Sequence, residues 1–173
     1  MTKSGHTATG WKPNQRVSTG TRTVHETLRA YAEERLAEAE EQPTFRARHL
    51  AWTMAFAESQ QDALAPQFVT RKATLDRVEL EHDNIRQALR WALSEDPGTA
   101  LRLAAAVGEF WRMRGHLDEG QRWTEAVLAA APDGDLRTRA VLLERAGSLL
   151  LHQGDVVRAV SYTHLTLPTI YSV

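Results

Sequence analysis

Cysteine is absent from the 173-residue chain, so a disulfide framework, a zinc–thiolate site and a thiol redox pair are all excluded. Net charge is nearly absent too. Twenty-one Lys and Arg stand against 22 Asp and Glu, leaving −1 at pH 7, which gives no electrostatic basis for direct nucleic-acid contact. Long apolar runs are missing: runs such as Leu103 to Gly108 and Leu149 to Leu151 fall far short of the roughly 20 residues that span a bilayer. No apolar stretch of the signal-peptide kind occurs near Met1, so a cytoplasmic protein without a membrane partner is expected. No GxxxxGK[ST] string is present, hence no phosphate-cradling loop. No segment reads as a helix-turn-helix with a basic recognition helix.

What is present divides into three regions. Residues 1–22 contain Lys3, Lys12, Arg16 and Arg22, no acid, and no apolar period; a disordered basic leader is predicted. Residues 23–159 hold 17 basic and 22 acidic side chains, and alanine and leucine, both strong helix formers, dominate. Residues 160–173 have no Ala, no acid, no Lys and no Arg, and helix propensity falls away there.

The apolar period between 23 and 159 is helical. Val24, Leu28, Tyr31, Ala32, Leu36 and Ala39 make one face, opposite Arg29, Glu33, Glu34, Glu38 and Glu40. Further faces are Phe45, His49, Trp52, Phe56 and Ala63, then Leu75, Val78, His82, Ile85, Leu89 and Ala92. Pro97 suits the first turn of the next helix, where its missing N–H has no partner to lose. That helix buries Leu101, Ala104, Val107, Phe110 and Trp111 and stops at Gly115. The next carries Leu117, Gly120, Trp123, Val127 and Leu128, ending at Pro132. Asp135 caps a helix with Leu142, Leu143, Ala146, Leu149 and Leu150, which ends at Gly154, and Asp155 caps another. No useful length alternates with period two. The prediction is therefore an all-α array of about seven helices.

Glycines punctuate that array. Gly108 and Gly115 are seven apart, as are Gly147 and Gly154, and the two pairs are offset by 39. The first of each pair would let the helices of a hairpin pack closely. The second would sit past a helix end in the left-handed conformation. Five residues later comes a small residue, Gly120 or Ala159, leaving room for a bulky partner opposite. Ala104, Val107, Gly108, Trp111, Gly115, Leu117, Gly120, Val127 and Pro132, then Leu143, Ala146, Gly147, Leu150, Gly154, Val156 and Ala159, resemble the tetratricopeptide repeat, whose period is about 34 residues. The surplus falls in 133–137. Ala104 and Leu143 stand where that motif has a large aromatic, and Thr124 where it has a bulky apolar residue. The resemblance implies a right-handed array of helical hairpins.

The strings HETLRAYAEERL, LEHDNIRQALRWAL and FWRMRGHLDEGQRW, with their spacing, resemble the region behind the ATPase module of large bacterial transcriptional regulators. These are the AfsR/SARP-like and LuxR-like multidomain regulators of the signal-transducing ATPase class. In that class an ATPase core and a winged-helix element precede a helical linker and tetratricopeptide-like repeats, with a DNA-binding domain at one end. The resemblance implies a linker over 23–96 and repeats over 97–159, the second incomplete. It also implies a bacterial signal-transduction fragment carrying neither motor nor DNA reader. A stand-alone tetratricopeptide scaffold unrelated to transcription is the alternative. VSYTHLTLPT resembles the translation of a transposase-type sequencing adapter, which marks 160–173 as an artefactual tail. The array is then expected to be truncated, leaving the side of its last full helix around Leu143 and Leu150 uncovered.

Reactive constellations are weak. Of the seven histidines, His25 lacks the partner four residues on that a metalloprotease helix needs. His49 and His82 lie on apolar faces and read as core; His116 and His152 fall near hairpin turns and read as solvent-facing. Glu79, Glu81 and Asp83 are two apart and diverge around a helix. Ser59, Ser94 and Ser148 have no His–Asp partner at interpretable spacing. Trp52, Trp91, Trp111 and Trp123 read as core. No catalytic, cofactor or metal residue is assigned, and no enzyme is expected. In stacked hairpins the first helices line a concave face. Periodicity puts Arg102, Glu109, Arg112, Met113, Glu144, Ser148 and His152 there, as the candidate surface for a protein or peptide partner or for the parent's ATPase module.

Overall fold

The computed structural model describes residues 27–28, 30–32, 34–61 and 71–162. The predicted leader, His25, Arg29, Glu33, Ala63 and the chain after 162 lie outside them. Every described residue falls in a helix or a connection between helices, with no strand among them. No described helix is long and apolar enough to cross a membrane.

The chain divides into two units, Met1–Pro43 and Thr44–Val173. Within the first, helix α1 (described at 27–28, 30–32 and 34–38) leaves Leu28 and Tyr31 exposed, and Arg35 lies 5.4 Å from the Tyr31 ring centre. Then follow α2 (Gln42–Gln61), α3 (Arg71–Leu80), α4 (His82–Glu95), α5 (Pro97–Arg114), α6 (Leu117–Ala130) and α7 (Leu136–Gln153). A last helix, α8, occupies 156–162. Among the described residues the helices number one more than the expected seven, because the predicted third helix is two. At Glu81 the backbone leaves helical geometry (φ −94°, ψ 4°), and its N–H reaches back to the carbonyls of Arg77 and Val78.

Helix α5 is the centre. Eleven of its residues, from Ala100 to Trp111, are buried, because α3, α4, α6 and α7 all pack on it. Ala104, Ala105 and Ala106 make this possible: small side chains all round let neighbours approach from several sides at once. Helix α7 packs against both α5 and α6. The apolar faces predicted for α4, α5 and α7 are the buried ones, and Leu75 and Val78 of α3 join them.

The ends follow local chemistry. Asp96 accepts from the Thr99 N–H at 3.0 Å with Pro97 in the first turn. Asp135 accepts from both the N–H and the hydroxyl of Thr138, and Asp155 accepts from the Arg158 N–H. Gly115 (φ 77°) and Gly154 (φ 83°) close α5 and α7 in the left-handed region. A Cβ at either would meet nothing within 4 Å, so alanine there costs backbone strain alone, about 1–2 kcal/mol. Urea unfolding of Gly115→Ala should show that loss. Gly98→Ala, whose Cβ would meet only Asp96 Oδ1 at 3.5 Å, should be neutral or slightly stabilising.

Four expectations are corrected. In α2 the buried stripe is Leu50, Thr53, Met54 and Ala57, while Phe45 and Trp52 are exposed. Trp52 stacks on Phe56 at 5.7 Å along the helix edge instead of entering the core. Gly108 does not ease the α5–α6 hairpin; its Cα faces Arg145 of α7, whose Cγ stands 3.0 Å from where a Cβ would be. Gly120 behaves as expected, with Trp111 Cβ at 2.9 Å from the same kind of position. Leu143 and Leu150 are buried, the latter completely. The exposed apolar residues at that end are Leu151, Val156, Val157 and Val160.

Candidate functional site

Two polar clusters break the apolar packing around α5. The first is centred on Glu109, which is buried although charged. Its Oε1 accepts from Nη2 of Arg71 at 2.7 Å and from Arg112, and its Oε2 accepts from Nε of Arg112 at 3.0 Å and from Nη1 of Arg145 at 3.1 Å. Three helices therefore aim guanidinium groups at one carboxylate. Burial is the largest influence on its ionisation and opposes it. Arg112, Arg145 and Arg71 together outweigh that and hold the carboxyl below its ordinary range. With Glu144 beside Arg145 as a second carboxylate, three positive charges face two negative ones, leaving one net positive charge on this face.

Arg112 also meets His152 of α7, Nη1 to Nε2 at 3.3 Å, while His152 Nδ1 donates to the Ser148 carbonyl at 2.8 Å. Nη2 of Arg112 lies 3.3 Å from the Met113 sulfur. Of the seven residues predicted for a concave face, Glu109, Arg112, Met113, Ser148 and His152 thus come together. Glu144 is exposed at the margin, 3.5 Å from Arg145 Nε. Arg102 is apart, paired with Glu58 of α2. Arg71 and Arg145 were not predicted. Arg145 is one position round the helix from Glu144, where Gly108 makes room for its stem. Arg71 arrives from α3 and has no sequence signal. The cluster's chemistry is charge recognition: planar guanidinium forks match carboxylate and phosphate oxygens.

The second cluster joins α4 to the α5–α6 turn. His82 is buried and accepts from Trp111 Nε1–H at 3.3 Å through Nε2. Its ring meets Phe110 edge-on at 5.0 Å and His116 at 4.5 Å. Burial, chiefly, pushes the His82 pKa down, so the ring is neutral at neutral pH. His116 is not simply solvent-facing: its Nε2 lies 3.1 Å from Glu79 Oε1. Glu119 takes both forks of Arg86 at 2.6 Å and a bond from Trp123 Nε1 at 3.2 Å. The Arg86 bond, above all, holds the Glu119 carboxyl down at about 2, and the same pair raises Arg86 above its ordinary range.

A separate cleft of about 400 Å³ lies between α6, α7 and α8, lined by Leu128, Leu136, Arg139, Leu143 and Tyr162 among others. It shares no residue with either polar cluster.

A stretch of 104 residues, 60% of this chain, is 35% identical to a Mycobacterium bovis protein named "Putative HTH-type transcriptional regulator". Two Mycobacterium tuberculosis proteins of the same description are matched over the same length at the same identity. The match covers 11% of each relative's length. No protein-family model matches the chain, and no solved structure matches it significantly.

Proposed function

We propose that this chain is a non-catalytic regulatory module of a bacterial ATP-dependent transcriptional regulator, built as a right-handed tetratricopeptide-like array. It works by offering a charged inner face to a protein or peptide partner or to the ATPase module of its own parent. The single observation that carries the reading is the gathering of Arg71 of α3, Arg112 of α5 and Arg145 of α7 on Glu109. Nesting of α7 against α5 and α6 supports the array, and the mycobacterial regulators support the transcriptional setting. DNA and nucleotide contacts belong to other parts of such a parent, and the module works in the cytoplasm.

Two measurements test this. Reading the gene upstream in frame should reveal a phosphate-binding loop; a gene without one would favour the stand-alone scaffold. In the intact regulator, Glu109→Gln with Arg112→Gln, which removes the buried charge together with its main partner, should change reporter transcription severalfold while circular dichroism stays native. Unchanged output from a folded double variant would remove this face from the mechanism, and ATP hydrolysis by the purified 173-residue chain would overturn the non-catalytic reading.

A further inference from the structure

We propose that Glu79, His82 and His116 form a binding site for a divalent transition-metal ion of the zinc class. One ligand atom from each lies within 4.8 Å of the others. His116 Nε2 and Glu79 Oε1 are 3.1 Å apart. Ligands held about 2.0–2.2 Å from a tetrahedral ion stand roughly 3.3–3.5 Å from one another, so this pair is already near coordination spacing. The ion takes the place of the proton that the two share. Glu79 and His116 are partly exposed, which gives the ion an approach from solvent, whereas His82 is buried with its ring edge-on to Phe110.

The ligand set fixes the class of ion. Two imidazoles and one carboxylate suit zinc and its first-row neighbours; magnesium and calcium take oxygen ligands. Three protein ligands leave a fourth position for water. An outer carboxylate is in place as well: Glu119 Oε1 lies 3.5 Å from His82 Nε2, held there by Arg86. With the ion on Nδ1 of His82, Nε2 carries the proton and gives it to Glu119 as a hydrogen bond, the usual way a ligating imidazole is oriented. Trp111 then loses its acceptor, so loading has an indole signature. Arg114 competes for Glu79, at 3.7 Å from its Oε2, which lowers affinity without blocking the site. The ligands come from the α3–α4 break and the α5–α6 turn, segments that only packing brings together. An ion here would pin those two elements independently of the arginine cluster and of any role in transcription.

The test uses the full chain, stripped with a chelator and titrated with zinc chloride by calorimetry and with cobalt chloride by visible absorption. One zinc per chain is expected, with cobalt d–d bands, a shift in the Trp111 indole resonance, and a Tm that climbs with zinc concentration. His116→Ala and Glu79→Gln should each weaken zinc binding by more than about tenfold, with native circular dichroism. His152→Ala and His49→Ala should bind as the parent does. Absence of zinc binding, equal binding by the His116→Ala and Glu79→Gln variants, or equal loss in His152→Ala would overturn the site. So would magnesium binding as tightly as zinc.

Discussion

Replacing Trp111 with alanine is expected to lower the unfolding free energy by about 3–5 kcal/mol. The side chain has no exposed surface. It sits where three helices meet: its stem fills the gap left by Gly120 of α6, and its indole N–H donates to His82 of α4. Removing the ring therefore opens a cavity the backbone cannot close, since α5 is gripped from several sides, and takes the donor from a buried imidazole. The fair comparison is Trp52→Ala. Trp52 is 50% exposed and touches chiefly Phe56, so its loss should cost about 1 kcal/mol or less. Urea denaturation of both variants decides the matter. Equal losses would mean that the core is not organised around α5. Gly120→Ala probes the same junction from the other side, because the added methyl would press on Trp111 Cβ and on Leu149 Cδ1, 3.1 Å away; overpacking of that kind costs about 1–3 kcal/mol.

Glu119→Gln should remove a large part of the protein's stability near neutral pH and flatten its response to acid. The carboxyl goes from an ordinary 4.5 down to about 2 in the folded chain. A depressed carboxylate pKa stabilises the folded state above the unfolded value, and this is lost as pH falls through the folded one. The window therefore runs from about pH 4.5 down to about 2. Glu119 is largely buried, with 17% of its side chain exposed, so solvent screens the Arg86 pair only partly. About 2–3 kcal/mol at pH 7 is expected from the loss. Glutamine keeps the shape but carries no charge, so midpoints measured from pH 7 to pH 2 should converge on those of the parent at the acid end. Parallel curves across the range would show that Arg86 and Glu119 gain little from each other in the fold.

Much of the helical core was legible because its signal is local. Leu75, Val78, His82, Ile85, Leu89 and Ala92 recur at the helical period, and all are buried. The same period survived the break at Glu81, which is why the face was right and the single helix was wrong. Gly115 and Gly154 were legible for a different reason: a helix end that needs positive φ has few residues to choose from. Helix α2 misled because it carries two apolar stripes, and the larger side chains of Phe45 and Trp52 are not the buried ones. Size favours burial only where a neighbour with a matching gap exists, and no local pattern reports where that neighbour lies.

The arginine cluster around Glu109 was half legible. Periodicity placed Glu109, Arg112 and His152 on one side, and they do meet. It could not supply Arg71 or Arg145, because an ion pair across 38 or 36 residues depends on which helices become neighbours. The Glu79–His82–His116 cluster was missed for the same cause, since each histidine taken alone looked like a core residue or a turn residue.

By itself, then, the order of residues determined where α5 and α7 begin and end and which stripe of α4, α5 and α7 is apolar, because capping, left-handed glycines and the 3.6-residue period act over one or two turns. Only tertiary structure decided which charges share a carboxylate, which glycine faces which helix, and which tryptophan is covered. Those outcomes depend on how far apart two helix axes settle, and that distance is set by the side chains of both partners together.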